Sequence, residues 1–167
     1  MHHDKNIRES TQADISRLMH VIDAVELFPS TMLEGMMTSF LSGNRQTPEF
    51  WLTDDHDGPV GVAYCAPERL TEGTWNLYLI AVHPGWQRKG RGAALIRAVE
   101  GRVTAAGGRL LLIETSGLGS FEGQRDFYAR QGYSQEARVR DFYDVGNDKI
   151  VFWKLLSPYS PRNGTAR

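Results

Sequence analysis

Gln87-Arg88-Lys89-Gly90-Arg91-Gly92 stands between a strongly apolar segment, residues 75–82, and an amphipathic run carrying Leu95, Val99 and Val103. A glycine-bearing turn that feeds a helix leaves backbone N–H groups without acceptors at the positive end of the helix dipole, and such a nest binds phosphate. Gly90 and Gly92 let the backbone approach an anion without a Cβ in the way, while Arg88, Lys89 and Arg91 add local positive charge. Three phosphate chemistries compete for the loop. A P-loop needs Gly-Lys-Ser or Gly-Lys-Thr, which occurs nowhere in the chain. A dinucleotide fingerprint needs a third glycine at position 95, where Leu95 stands. An acyl-CoA pyrophosphate loop remains.

The elements that position this loop follow from the rest of the chain. With 167 residues and 41% hydrophobic content, the sequence is long enough to bury its own core. One domain is expected over 1–156, with 157–167, which carries proline and glycine, as a disordered tail. Residues 7–10 read as a strand, and Thr11 with Asp14 as a capping box opening a helix that carries Ile15, Leu18, Met19 and Ile22 and closes at Pro29. Ser30 reads as the N-cap of a second helix that buries a broad stripe of Met32, Leu33, Met36, Met37, Phe40 and Leu41. Strands are expected at 50–53 and 60–64 across a turn at 54–59, and at 75–82, where His83-Pro84-Gly85 ends the run. A helix from about Gly92 stops at Gly107-Gly108, followed by a strand at 109–114 and a short helix at 121–130. Two further strands, 133–143 and 149–155, flank a turn at Gly146-Asn147-Asp148.

Nineteen Lys and Arg against twenty Asp and Glu leave a net charge of −1, so no global positive field recruits nucleic acid or an anionic membrane. No apolar run approaches the roughly 18 residues of a spanning helix, and no apolar stretch follows the N-terminus as a signal peptide would. The single cysteine, Cys65, forms no internal disulfide, and a cytoplasmic location is expected.

The run Ile80-Ala81-Val82-His83-Pro84-Gly85-Trp86-Gln87-Arg88-Lys89-Gly90-Arg91-Gly92 resembles the central motif, Q/R-x-x-G-x-G/A after a strand, of the GCN5-related N-acetyltransferase (GNAT) family. A second family motif, F-Y-x-x-x-G-[FY], reads here as Phe127-Tyr128-Ala129-Arg130-Gln131-Gly132-Tyr133. The resemblance covers residues 5–156. It implies a mixed α+β fold of the α/β class, with a central, mostly antiparallel sheet flanked by helices and two parallel strands, 75–82 and 109–114, that splay apart around acetyl-CoA. It also implies that backbone N–H groups of Arg88, Lys89, Gly90, Arg91, Gly92 and Ala93 hold the pyrophosphate, that Gln87 belongs to the same cofactor-binding loop, and that the strand of Ile80, Ala81 and Val82 pairs with the pantetheine arm. The N–H of Ile80 would face the thioester carbonyl. Attack by an amine makes a tetrahedral oxyanion there, and one fixed donor is worth roughly 3 kcal/mol.

An amine acceptor with a pKa of about 10.4 is neutral in only about one molecule in 10³ to 10⁴ at pH 7, so a base is expected. Several family members place a glutamate on the strand before the central motif, and the matching position here is Asn76, which cannot accept the proton usefully. Glu72, Glu114 and Asp141 stand as candidates, being near strand ends or their loops. Tyr128 falls at the family position beside the thiolate sulfur, as a proton donor or a positioning group. A pantetheine-contacting asparagine of the family is replaced here by Phe121.

His83 and His56 read as turn residues, Cys65 as a small packed side chain, and Trp51, Trp75, Trp86 and Trp153 as core or rim aromatics. The Met32, Met36 and Met37 cluster is either core or a wall of the acceptor site. Arg138 and Arg140 alternate along one strand, as an exposed face or as ligands of an acidic acceptor. The expectation is an acetyl-CoA-dependent N-acetyltransferase acting directly on a primary amine of a small molecule or peptide end. The rival is a catalytically weak acyl-CoA-binding sensor or interaction module. Dimerisation is common in the family, and the C-terminal strands are where a homodimer would form.

Overall fold

The computed structural model describes residues 4–43 and 48–157. Seven strands form one sheet in the order β1-β2-β3-β4-β5-β7-β6. They are β1 (Ile7–Glu9), β2 (Phe50–Asp55), β3 (Pro59–Pro67), β4 (Thr74–Val82), β5 (Leu110–Ser116), β6 (Ser134–Asp144) and β7 (Asn147–Leu155), with helices α1 (Ile15–Val25), α2 (Leu33–Leu41), α3 (Arg91–Ala105) and α4 (Glu122–Arg130). Every neighbouring pair is antiparallel except β4 with β5. The mixed α+β architecture is therefore the one expected. Trp51, Leu77, Leu95, Leu111 and Ile113 are among its fully buried side chains.

Several boundaries differ from the sequence reading. The Thr11–Asp14 capping box is present, but α1 ends at Val25 with Glu26 left-handed (φ 52°), before Pro29 is reached. Ser30 opens a single 3₁₀ turn without a capping bond, and α2 starts only at Leu33. Its stripe is narrower than expected: Leu33, Met37 and Phe40 are buried, whereas Met32 and Met36 are exposed. Asp54 and Asp55 belong to β2, because Asp54 pairs with Ile7 of β1 and Gly61 of β3 and Asp55 with Pro59 of β3, which extends the strand. Apart from Ser157, the segment expected as a disordered tail lies outside the described residues.

One irregularity positions the site. Between β3 and β4 the register jumps from Tyr64 opposite Leu79 to Cys65 opposite Leu77, leaving Tyr78 as an extra residue on β4. Such a bulge bends its strand and increases the local twist. The parallel pairing with β5 stops there as well: it runs from Thr74 opposite Leu110 to Leu77 opposite Ile113 and no further. Past that point β4 stays with β3 and β5 stays with β7, so the sheet opens between them.

Candidate active site

The opened edge of β4 presents unpaired donors. The N–H of His83 donates to Val60 O at 2.8 Å, and donors alternate sides along an antiparallel strand. Ala81 therefore turns its N–H to β3, while Ile80 and Val82 turn theirs to the opened side. Ile80 and Val82 thus face the side where the pantetheine arm is expected, and Ala81 has its backbone donor inside the sheet.

The loop after β4 forms the expected nest. Arg88 (φ 56°) and Gly90 (φ 76°) are left-handed, and this alternation of backbone hand turns successive N–H groups into one concavity. The first N–H to close a helical bond is that of Ala94, to Gly90 O at 3.0 Å. Those from Arg88 to Ala93 have no backbone acceptor among the described residues. Gln87 ties the loop back to the strand, its Nε2 donating to Val82 O at 2.9 Å, and Lys89 Nζ donates to Gly85 O at 2.9 Å. The two glycines act for different reasons. Gly90 needs its positive φ and has open space around it, whereas a Cβ at Gly92 would press on Phe127 Cζ at 3.1 Å.

Arg91 corrects the sequence reading of local charge. Its guanidinium turns away from the nest and grips the fully buried Asp54 through Nε (2.7 Å) and Nη2 (2.6 Å), with Nη1 on Asp4 at 2.9 Å. His56, stacked on Trp86, adds a contact to Asp54 at 3.1 Å. Arg91 thus clamps the start of α3 to β2, and the charges left beside the nest are those of Arg88 and Lys89, neither of which makes an ion pair among the described residues.

On the other side of the opening, Asn76 is fully buried and its Nδ2 donates to Glu68 Oε1 at 2.9 Å and Glu114 Oε1 at 3.3 Å. Its Oδ1 has no partner among the described residues. Tyr78 donates to the same Glu68 oxygen at 2.7 Å, and Lys149 pairs with Glu114 at 3.3 Å. Glu68 also borders a cavity of about 710 Å³ whose walls include Met36, Glu49, Tyr64 and Tyr78. Burial, then the bond to Glu68, pushes the Tyr78 phenol up to about 12.

An acetyltransferase (GNAT) domain profile matches residues 46–135. A GNAT-family protein of known structure from Desulfovibrio desulfuricans is 31% identical, with a TM-score of 0.83 over 90% of this chain and 98% of that one. The chain belongs to the GNAT acetyltransferase family. Two more distant structures share the fold: an aminoglycoside 6′-N-acetyltransferase complexed with coenzyme A (17% identity, 92% and 98% coverage, TM-score 0.75), and a Salmonella typhimurium protein with acetyl-CoA (14%, 95% and 98%, TM-score 0.76). No curated protein matches the chain. GNAT enzymes draw their acetyl group from acetyl-CoA, and the unpaired donors of the nest and of β4 fit that cofactor's phosphates and amide arm.

The remaining candidates of this GNAT acetyltransferase sort themselves by position. Tyr128 is buried between Phe127 and Phe152, and burial, then Tyr143, pushes its phenol up to about 12. Tyr143 is itself raised by burial and then by Glu114. Glu114 lies in the Asn76 cluster. Glu72 does not: it lies exposed in the loop before β4, offering its carbonyl to Arg109. Asp141 accepts from Gly146 N–H at 2.7 Å and so shapes the β6–β7 turn. Cys65 is buried, and desolvation raises its thiol far from the thiolate. His83 caps Gly85 N–H, as a turn residue should. Arg138 is held by Asp148 and offers no free cation. Glu68 and Glu49 escaped the sequence reading. The hairpin register carried the signal for Glu68, since Ala66 faces Asn76 and Glu68 is then its diagonal neighbour.

Proposed function

We propose that this acetyltransferase moves the acetyl group of acetyl-CoA directly to a primary amine of a small molecule or a peptide end. The observation that carries this reading is the Glu68–Asn76 corner, where a walled cavity meets the point at which β4 leaves β5. Bound acetyl-CoA supplies an activated acetyl thioester. The N–H groups from Arg88 to Ala93 and the Arg88 guanidinium hold its phosphates, and Ile80 and Val82 bind the pantetheine arm. The Ile80 N–H donates to the acetyl oxygen, where one preorganised donor is worth about 3 kcal/mol.

An ammonium entering the cavity meets the second oxygen of Glu68, the one that Tyr78 and Asn76 leave open. Glu68 takes the proton, directly or through one water, and Asn76 positions it with a bond to the oxygen it does not use. Glu114, already neutralised by Lys149, holds the other side of the Asn76 amide. The Tyr128 phenol, protonated until pH about 12, supplies a hydrogen bond to the departing sulfur. The buried Cys65 thiol supports transfer without an acetyl-enzyme.

The test is release of free thiol from acetyl-CoA against polyamines, amino acids, amino sugars and short peptides. One amine class above the hydrolysis background is expected. Silence across the panel from protein that binds acetyl-CoA would overturn the reading in favour of a binding module.

A further inference from the structure

The bulge at Tyr78 does more than open the sheet. It brings the Tyr78 phenol and the Asn76 amide to one and the same oxygen of Glu68: Tyr78 Oη donates to Oε1 at 2.7 Å and Asn76 Nδ2 donates to it at 2.9 Å. These two donors fill the lone pairs of Oε1 and leave the other oxygen open. The backbone of Glu68 is fixed as well. In the turn between β3 and β4 its N–H donates to Thr74 O at 2.9 Å, and its carbonyl accepts from Thr71 Oγ1 at 2.9 Å.

Tyr78 is aimed in turn. Its ring lies on that of Tyr64, centroids 5.8 Å apart and planes 29° from parallel, and Tyr64 lies on the buried Trp51 at 4.4 Å and 14°. The stack runs from the core to the cavity wall, so the phenol reaches Glu68 from a ring whose tilt is already set. The kind of donor matters too. Glu114 is held by a cation, Lys149 at 3.3 Å, whereas both donors on Glu68 Oε1 are neutral. Neutral donors orient a carboxylate and leave it the charge that attracts an ammonium and takes its proton.

We propose that Tyr78 is a positioning residue for acetyl transfer: together with Asn76 it pins one oxygen of Glu68 and turns the other to the amine. This rests on the role of Glu68 proposed above and deepens it. The ring of Tyr78 also borders the cavity, so a direct contact with the acceptor is the alternative that the test separates.

The experiment is a double-mutant cycle of Tyr78→Phe and Glu68→Gln, in which kcat and KM are read from acetylated amine. The acceptor is whichever of spermidine, lysine, glucosamine and trialanine reacts fastest with wild type. Melting temperature and acetyl-CoA affinity check that each variant is folded. Tyr78→Phe keeps the ring and its stack and removes the donor alone. The expected result near pH 7 is a fall of about tenfold in kcat with KM for the amine within about twofold. The loss shrinks toward pH 10, where the amine loses its proton unaided, and adding Tyr78→Phe to Glu68→Gln costs nothing further. Full activity of Tyr78→Phe, equal losses in the two backgrounds, or a loss carried by KM would overturn the positioning role while leaving Glu68 standing. A Glu68→Gln variant as fast as wild type, or no acetylation of any of the four amines by protein that binds acetyl-CoA, would count against the proposed function itself and take this inference with it.

Discussion

Asp54→Asn tests whether the nest is held from below by the clamp on Arg91. The Asp54 side chain is fully buried and that of Arg91 is 13% exposed, so the substitution leaves a largely desolvated guanidinium facing an amide. Removing one partner of a buried pair costs about 3–5 kcal/mol. Asp4, at 2.9 Å and partly exposed, still attends one arm of the guanidinium, which places the loss near the lower end, about 3 kcal/mol. A chain of this size loses about 2–4 °C per kcal/mol, so the melting temperature should fall by about 6–12 °C. Arg91 directly follows Gly90, and releasing it frees the first turn of α3, so acetyl-CoA affinity should fall about tenfold as well. Thermal unfolding followed by circular dichroism, with calorimetric titration of acetyl-CoA, reads both effects. A melting temperature within about 2 °C of wild type would refute the reasoning, since the buried charge would then have been satisfied elsewhere.

Gly90→Glu forces a side chain into a left-handed backbone position and sets a negative charge in the nest, at a conformational cost of about 1–2 kcal/mol. The expected outcome is lost acetyl-CoA binding with an intact circular dichroism spectrum, and unchanged affinity would sink the assignment of the loop. Tyr128→Phe should lower kcat about tenfold by a factor that stays constant between about pH 6 and 9, because a phenol at about 12 does not titrate there. Full turnover across that range would remove both a proton-donating and a positioning role. The hydrogen bond from Arg8, then that from Gly58 N–H, hold the Asp55 carboxyl below its usual range. The resulting stability is present above the ordinary carboxylate value and is lost as pH falls through the depressed folded one. Asp55→Asn should therefore flatten the acid limb of a stability-versus-pH curve, and an unchanged limb would contradict it.

Local chemistry in the sequence made much of the fold legible. The Thr11–Asp14 box, the His83-Pro84-Gly85 stop and the Gly107-Gly108 ending each act within a few residues, and each marks a real boundary to within a residue or two. Errors arose where a distant partner decided. Asp54 and Asp55 read as turn residues until Ile7 and Pro59 pair with them, and the Arg91 side chain reads as local positive charge for the loop until Asp54 takes it. The nest was legible because glycine spacing between a strand and a helix is a contiguous signal. On the proposed acid–base side Asn76 and Glu114 were legible one by one, but Glu68 was not, because the three come from three strands or their ends and meet only through register and the bulge at Tyr78.

The most direct test of the account compares wild type with Glu68→Gln, quantifying acetylated amine by mass spectrometry alongside free thiol across a pH series. The account predicts equal amounts of acetylamine and thiol in the wild type. It also predicts a fall of about 10²-fold or more in kcat for Glu68→Gln near pH 7, shrinking toward pH 10 as the amine loses its proton unaided, with acetyl-CoA affinity kept. Thiol released without acetylated amine, or a Glu68→Gln variant that works at the wild-type rate near neutrality, would contradict it.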